Sequence, residues 1–119
     1  MLRAIARAVT AGFAAATLLA CGSLSTAPNN QPGTVTATSS LQFTPPTVTV
    51  TRTSGTAVVT WVFQSTVHNV TWDTQPSGAA VANIGNTSGA SVAREFSVAG
   101  SYTYHCTIHP AMTGTAVVQ

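Results

Sequence analysis

A chain of 119 residues with only 5% charged side chains has room for one domain and little charge with which to steer a partner. Beyond residue 33, Arg52 and Arg94 balance Asp73 and Glu95, so that part carries no net charge and offers no basic surface for nucleic acid. Hydrophobic residues make up 45% of the whole and are densest at the start.

Met1-Leu2-Arg3-Ala4-Ile5-Ala6-Arg7 is a short basic region, and Ala8 to Ala20 is an apolar stretch too short to span a bilayer comfortably. Residues 1–20 therefore read as a secretory signal. Arg3 and Arg7 are not adjacent, which favours general secretion over a twin-arginine route. The signal ends in Leu18-Leu19-Ala20-Cys21, which resembles the bacterial lipobox. That resemblance implies a lipid on Cys21 and an exported protein anchored to the bacterial cell envelope, on its periplasmic or extracellular face. Residues 21–33 follow as a flexible tether: beyond Cys21 they hold Ser, Thr, Pro, Asn and Gln but no charge.

From Thr34 to Gln119 the chain reads as short strands. Val48, Val50, Val58, Val59, Trp61, Val70 and Trp72 sit among threonines in period-two patterns, continued by Val92 to Val98, Tyr102 to Cys106 and Thr115 to Val118. Breakers separate them at Pro45-Pro46, Ser54-Gly55, Pro76-Ser77-Gly78, Gly85, Gly89 and Gly100. No stretch after Cys21 has helical periodicity. The expected architecture for residues 34–119 is all-β, an antiparallel Greek-key β-sandwich. A core of this size gains stability from a bound metal.

The chemistry is concentrated in Tyr104-His105-Cys106-Thr107-Ile108-His109-Pro110-Ala111-Met112. Cys106, His109 and Met112, spaced C-x2-H-x2-M, deliver a thiolate, an imidazole and a thioether from one tight loop. His68 can add a second imidazole. Two imidazoles and a thiolate in a trigonal set, with a weak axial thioether, suit both oxidation states of copper. The chain has only three His, two Cys and two Met, so this clustering is unlike chance composition. Zinc fits less well, because structural zinc sites are richer in Cys and no CxxC pair is present. With Cys21 lipidated and Cys106 on copper, no thiol remains for a disulfide. His105 alternates with Cys106 along a strand and should face away from the metal.

Phe43-Thr44-Pro45, Val48-Thr49-Val50, Gly55, Val59-Thr60-Trp61, His68-Asn69-Val70 and Gly100-Ser101-Tyr102-Thr103-Tyr104-His105-Cys106 follow the order seen in cupredoxins. The chain resembles the plastocyanin, amicyanin and pseudoazurin group, and its short ligand loop is similar to that of amicyanin and pseudoazurin. The resemblance implies one type 1 copper ion held by His68, Cys106, His109 and Met112. It also implies that Asn69 ties loop backbones together and that Tyr102 occupies the tyrosine-corner position, its hydroxyl pinning a loop. Phe63 stands near where the family carries an asparagine that hydrogen-bonds beside the copper thiolate, so Gln64, Ser65 or Thr66 is expected to supply a donor. Asn69-Val70-Thr71 and Asn86-Thr87-Ser88 match glycosylation sequons, which a bacterial lipoprotein gives no reason to use.

The function expected is one-electron transfer rather than catalysis. Copper reductases and oxidases need several more His ligands than this chain possesses. Redox partner proteins would dock on small apolar residues around His109, namely Ile108, Pro110, Ala111 and Ala80, with the protein a monomer held at the membrane by its lipid. The alternative is a copper binding or delivery protein supplying a periplasmic or membrane oxidase. Such proteins tend to expose Met- and His-rich sites, and the Cys-centred loop argues against it.

Overall fold

The computed structural model describes residues 33–119; the expected signal, lipobox and tether up to residue 32 lie outside them. Nine strands follow one another: β1 (Thr34–Ala37), β2 (Phe43–Thr44), β3 (Thr47–Val50), β4 (Ala57–Phe63), β5 (His68–Thr74), β6 (Ile84–Thr87), β7 (Ser91–Phe96), β8 (Gly100–His105) and β9 (Thr113–Val118). Period-two alternation builds the longer ones. In β4, Ala57, Val59, Trp61 and Phe63 are buried, while Val58, Thr60 and Val62 face outward. Tyr102 and Tyr104 point inward from β8, and Gly114, Ala116 and Val118 from β9.

The strands form two sheets, ordered β2-β1-β4-β7 and β3-β9-β8-β5-β6. Their inner faces enclose one core, in which Trp61 lies edge-on to Trp72 and Tyr104 at ring-centroid distances of 5.8 and 5.6 Å. The sandwich is as expected, but its sheets are mixed rather than purely antiparallel. β1 runs parallel to β4, and β3 parallel to β9. Both are pairs of non-consecutive strands. Alternation reports which face is buried and is silent about the direction of a neighbour that arrives by crossover.

Gly85, expected to break the chain, lies inside β6, while Ser54-Gly55, Pro76-Ser77-Gly78 and Gly89 do sit between strands. Gly100 opens β8 at φ 141°, its Cα packed so close to Pro76 that a Cβ would fall 2.6 Å from the proline Cγ.

This topology gathers three segments at one end of the sandwich. β5 begins with His68, β8 ends one residue before Cys106, and β9 starts one residue after Met112. At the other end, Gly100 pairs with Val118, Val118 with Val50, and Gly33 packs against Val50 and Val58.

Candidate metal centre

His68 and Cys106 are wholly buried, and His109 is half-buried. Two contacts shape the ligand loop: Cys106 N donates to Met112 O at 3.0 Å, and Met112 N to His109 O at 2.8 Å. Together they fold residues 106–112 into one turn, with Met112 buried beneath it. The Nδ1 atoms of His68 and His109 face each other at 3.2 Å, and lie 3.9 and 3.8 Å from Cys106 Sγ.

That triangle has the dimensions of a metal site. A first-row cation in the plane of three ligands, with bonds of about 2.0 Å to nitrogen and about 2.3 Å to sulfur, sets nitrogens about 3.5 Å apart and about 3.7 Å from sulfur. The observed edges fit those spacings, and the soft thiolate with two imidazoles is a donor set that suits copper. The protonation pattern agrees. His68 Nε2 lies 2.9 Å from the carbonyl oxygen of Thr38, which can only accept, so Nε2 carries the hydrogen and Nδ1 keeps its lone pair for a metal.

The peptide N–H of Asn69 donates to Cys106 Sγ at 3.4 Å. The Asn69 side chain ties three segments together: Nδ2 donates to Asn86 Oδ1 at 3.0 Å and Thr107 Oγ1 at 2.6 Å, while Oδ1 accepts from Thr107 N at 2.9 Å and Thr71 Oγ1 at 3.3 Å. Tyr102, its ring fully buried, donates from its hydroxyl to the Val98 carbonyl at 2.6 Å.

The expected donor from Gln64, Ser65 or Thr66 is not found on the sulfur. Gln64 Oε1 accepts instead from Ser39 N at 2.8 Å, and the hydroxyls of Ser65 and Ser39 meet at 3.2 Å. Those bonds brace the loop after β1, whose Thr38 carbonyl orients His68. The donation expected there comes from the backbone of Asn69, and no backbone donor can be read from side-chain identity. His105 faces away, its Nδ1 2.7 Å from Asp73 Oδ1. Ala80 lies four residues beyond Pro76, which packs against Gly100 at the end of β8 away from Cys106. Three contributors went unseen in the sequence. Thr38 acts through a backbone carbonyl and leaves no signal, Asn86 is distant along the chain, and only Thr107, adjacent to Cys106, had a position that could have marked it.

Fold and site together define a small copper-binding sandwich of the cupredoxin type. Residues 32–119 match the family described as copper binding proteins of the plastocyanin/azurin family. No curated protein matches the chain. Solved structures similar to it include a reduced Cu(I) form, at pH 4, of an amicyanin mutant, 27% identical with TM-score 0.61 over 76% of this chain and 84% of that one. A second reduced amicyanin mutant is 27% identical and an oxidised one 28%, each with TM-score 0.60, covering 72% of this chain and 80% of theirs. The chain belongs to the plastocyanin/azurin family of copper binding proteins. It is a cupredoxin of the plastocyanin and amicyanin group, with one type 1 copper as its cofactor and the general character of a blue copper electron carrier.

Proposed function

We propose that the protein carries single electrons between redox partners at the bacterial cell envelope, with copper held by His68, Cys106, His109 and Met112. The observation that carries this reading is the triangle of two imidazole nitrogens and one thiol sulfur, all within 4.8 Å, with His68 and Cys106 buried and His109 at the edge. Copper, when bound, supplies a one-electron couple that a trigonal donor set accommodates in both oxidation states. The chain's own residues do the rest. Thr38 fixes the His68 ring, Asn69 N–H stabilises negative charge on sulfur, and the core excludes water from His68 and Cys106. His109, half-exposed among exposed Ile108, Pro110 and Ala111, is the edge at which a partner would dock. Charge contributes little there: beyond residue 33 the chain holds only Arg52, Arg94, Asp73 and Glu95, and none lies in the segment from Ile108 to Ala111.

Export and lipidation at Cys21 complete the reading, together with a monomeric state and no catalysis of its own. Gly33 enters the fold beside Val50 and Val58, at the end opposite residues 106–112. A tether from Cys21 would therefore attach at the end away from the His109 edge and leave that edge free to meet a partner.

Reduction of the copper-loaded protein, followed by a challenge with an equimolar copper(I) chelator and reoxidation, tests the function. A carrier keeps its metal and returns to its oxidised spectrum over repeated cycles. Loss of copper to the chelator on the first reduction would favour delivery to an oxidase instead. Labelling cells with a fatty acid tests the anchor: label on the wild type and none on Cys21→Ala is expected, and an unlabelled wild type would remove the anchor alone.

A further inference from the structure

The Asn69 side chain, next to the N–H that donates to the Cys106 sulfur, is bonded to a side chain that belongs to neither the ligand loop nor β5. The β5–β6 register shifts between His68 and Val70, where Asn69 alone stands opposite Gly85 and Asn86, so the extra residue lies on β6 beside Asn69, whose own N–H donates to the sulfur. The Asn69 backbone is held there by its side chain, which is buried, uses both amide hydrogens and accepts twice on its oxygen. Thr107 lies on the ligand loop and Thr71 on β5 itself, so those partners move with the groups they hold. Asn86 alone reaches in from another strand, the edge strand β6, its Oδ1 3.0 Å from Asn69 Nδ2.

We infer that Asn86 is a positioning residue for the copper thiolate, acting through Asn69 to set the strength of the N–H···S bond. The inference rests on Cys106 being the copper thiolate. Without Asn86, Nδ2 keeps only the Thr107 hydroxyl, the Asn69 amide gains freedom to turn, and the peptide N–H is aimed less well at sulfur. An N–H dipole on the thiolate favours the more negative, reduced site. Weakening it lowers the midpoint potential. It also raises the sulfur electrons in energy, which moves the thiolate-to-copper band to longer wavelength. If half of a typical hydrogen bond is lost, the reduction equilibrium shifts about threefold, which is about 28 mV for one electron.

Three variants test this: Asn86→Ala, Asn86→Asp and Thr87→Ala. Asn86→Asp keeps an acceptor for Asn69 Nδ2. Thr87→Ala loosens the same strand by removing the Thr87 Oγ1 bond to Gly85 O but leaves the Asn69 partners alone. The readouts are the midpoint potential, the energy of the charge-transfer band, and the Asn69 amide-proton chemical shift in the copper-free protein. Asn86→Ala should lower the potential about threefold in equilibrium terms, red-shift the band and move the amide proton upfield. Asn86→Asp should hold the band and the amide proton at their wild-type positions, and Thr87→Ala should hold all three readings. An unmoved amide proton in Asn86→Ala, or equal changes in Thr87→Ala, would overturn the inference. The copper-free signal also separates the two ideas: failure to bind copper would sink the ligand assignment while leaving the Asn86 test intact.

Discussion

Met112 is the proposed ligand whose role is most sharply testable one side chain at a time. Its backbone is fixed by Cys106 and His109, and its side chain is buried under the loop. If its sulfur is a weak axial donor, Met112→Leu keeps the charge-transfer band and raises the midpoint potential, since a donor that favours copper(II) is gone. Loss of copper binding in that variant would make Met112 a primary ligand. Gln64 gives the opposite expectation. Its carboxamide holds Ser39 rather than the sulfur, so Gln64→Ala should cost about 1 kcal/mol of stability in denaturant titration and leave band and potential unchanged. The three side chains that the structure brings together, His68, Cys106 and His109, were legible in the sequence because their chemistry lies in residue type. Of the groups that orient them, the Asn69 side chain was legible and the backbone groups were not. Thr38 acts through its carbonyl, which every residue has, and Asn69 through its N–H, which every residue but proline has.

At the level of strands, β4, β8 and β9 were legible because valines and aromatics alternate with threonines and serines across one buried face. β1, β2 and β6 were not. β1 buries Val35, Thr36 and Ala37 consecutively, β2 is two residues long, and β6 pairs across a bulge. The β8–β9 pair is also where packing is least forgiving. Tyr104 lies opposite Gly114, and a Cβ on that glycine would fall 2.6 Å from the Tyr104 Cε2. Gly114→Ala should therefore destabilise the domain by about 1–3 kcal/mol, read as a lowered melting temperature.

The Tyr104 hydroxyl is buried without a well-formed hydrogen bond, as is the nearby Trp61 Nε1. Burial pushes the phenol up to about 12, and the neighbouring indole offsets only part of that. In the unfolded chain the phenol ionises near pH 10. The folded state thus holds its full advantage below about pH 10 and loses it progressively toward about pH 12, by roughly 2–3 kcal/mol in all. Tyr104→Phe should flatten that alkaline loss in urea titrations at successive pH values. A wild-type stability that stays level through the window would show the hydroxyl to be solvated.

For the molecule as a whole, the fold reduces to a device that holds a donor set at one end and receives the chain at the other. Two strand ends and one short loop meet at the site, while Gly33 enters beside Val50 and Val58. The sandwich was legible from strand count and turn spacing. Its parallel pairs were not, because they join strands far apart in sequence. That same long-range pairing closes the core around Cys106, so the site depends on the completed fold rather than on the loop alone. The most direct test adds copper(II) to the purified protein and records its visible and paramagnetic-resonance spectra, with Cys106→Ser alongside. An intense thiolate-to-copper charge-transfer band and a narrow copper hyperfine splitting are expected, both lost in Cys106→Ser. Colourless, weakly held copper, or a band that survives the loss of Cys106, would contradict the account.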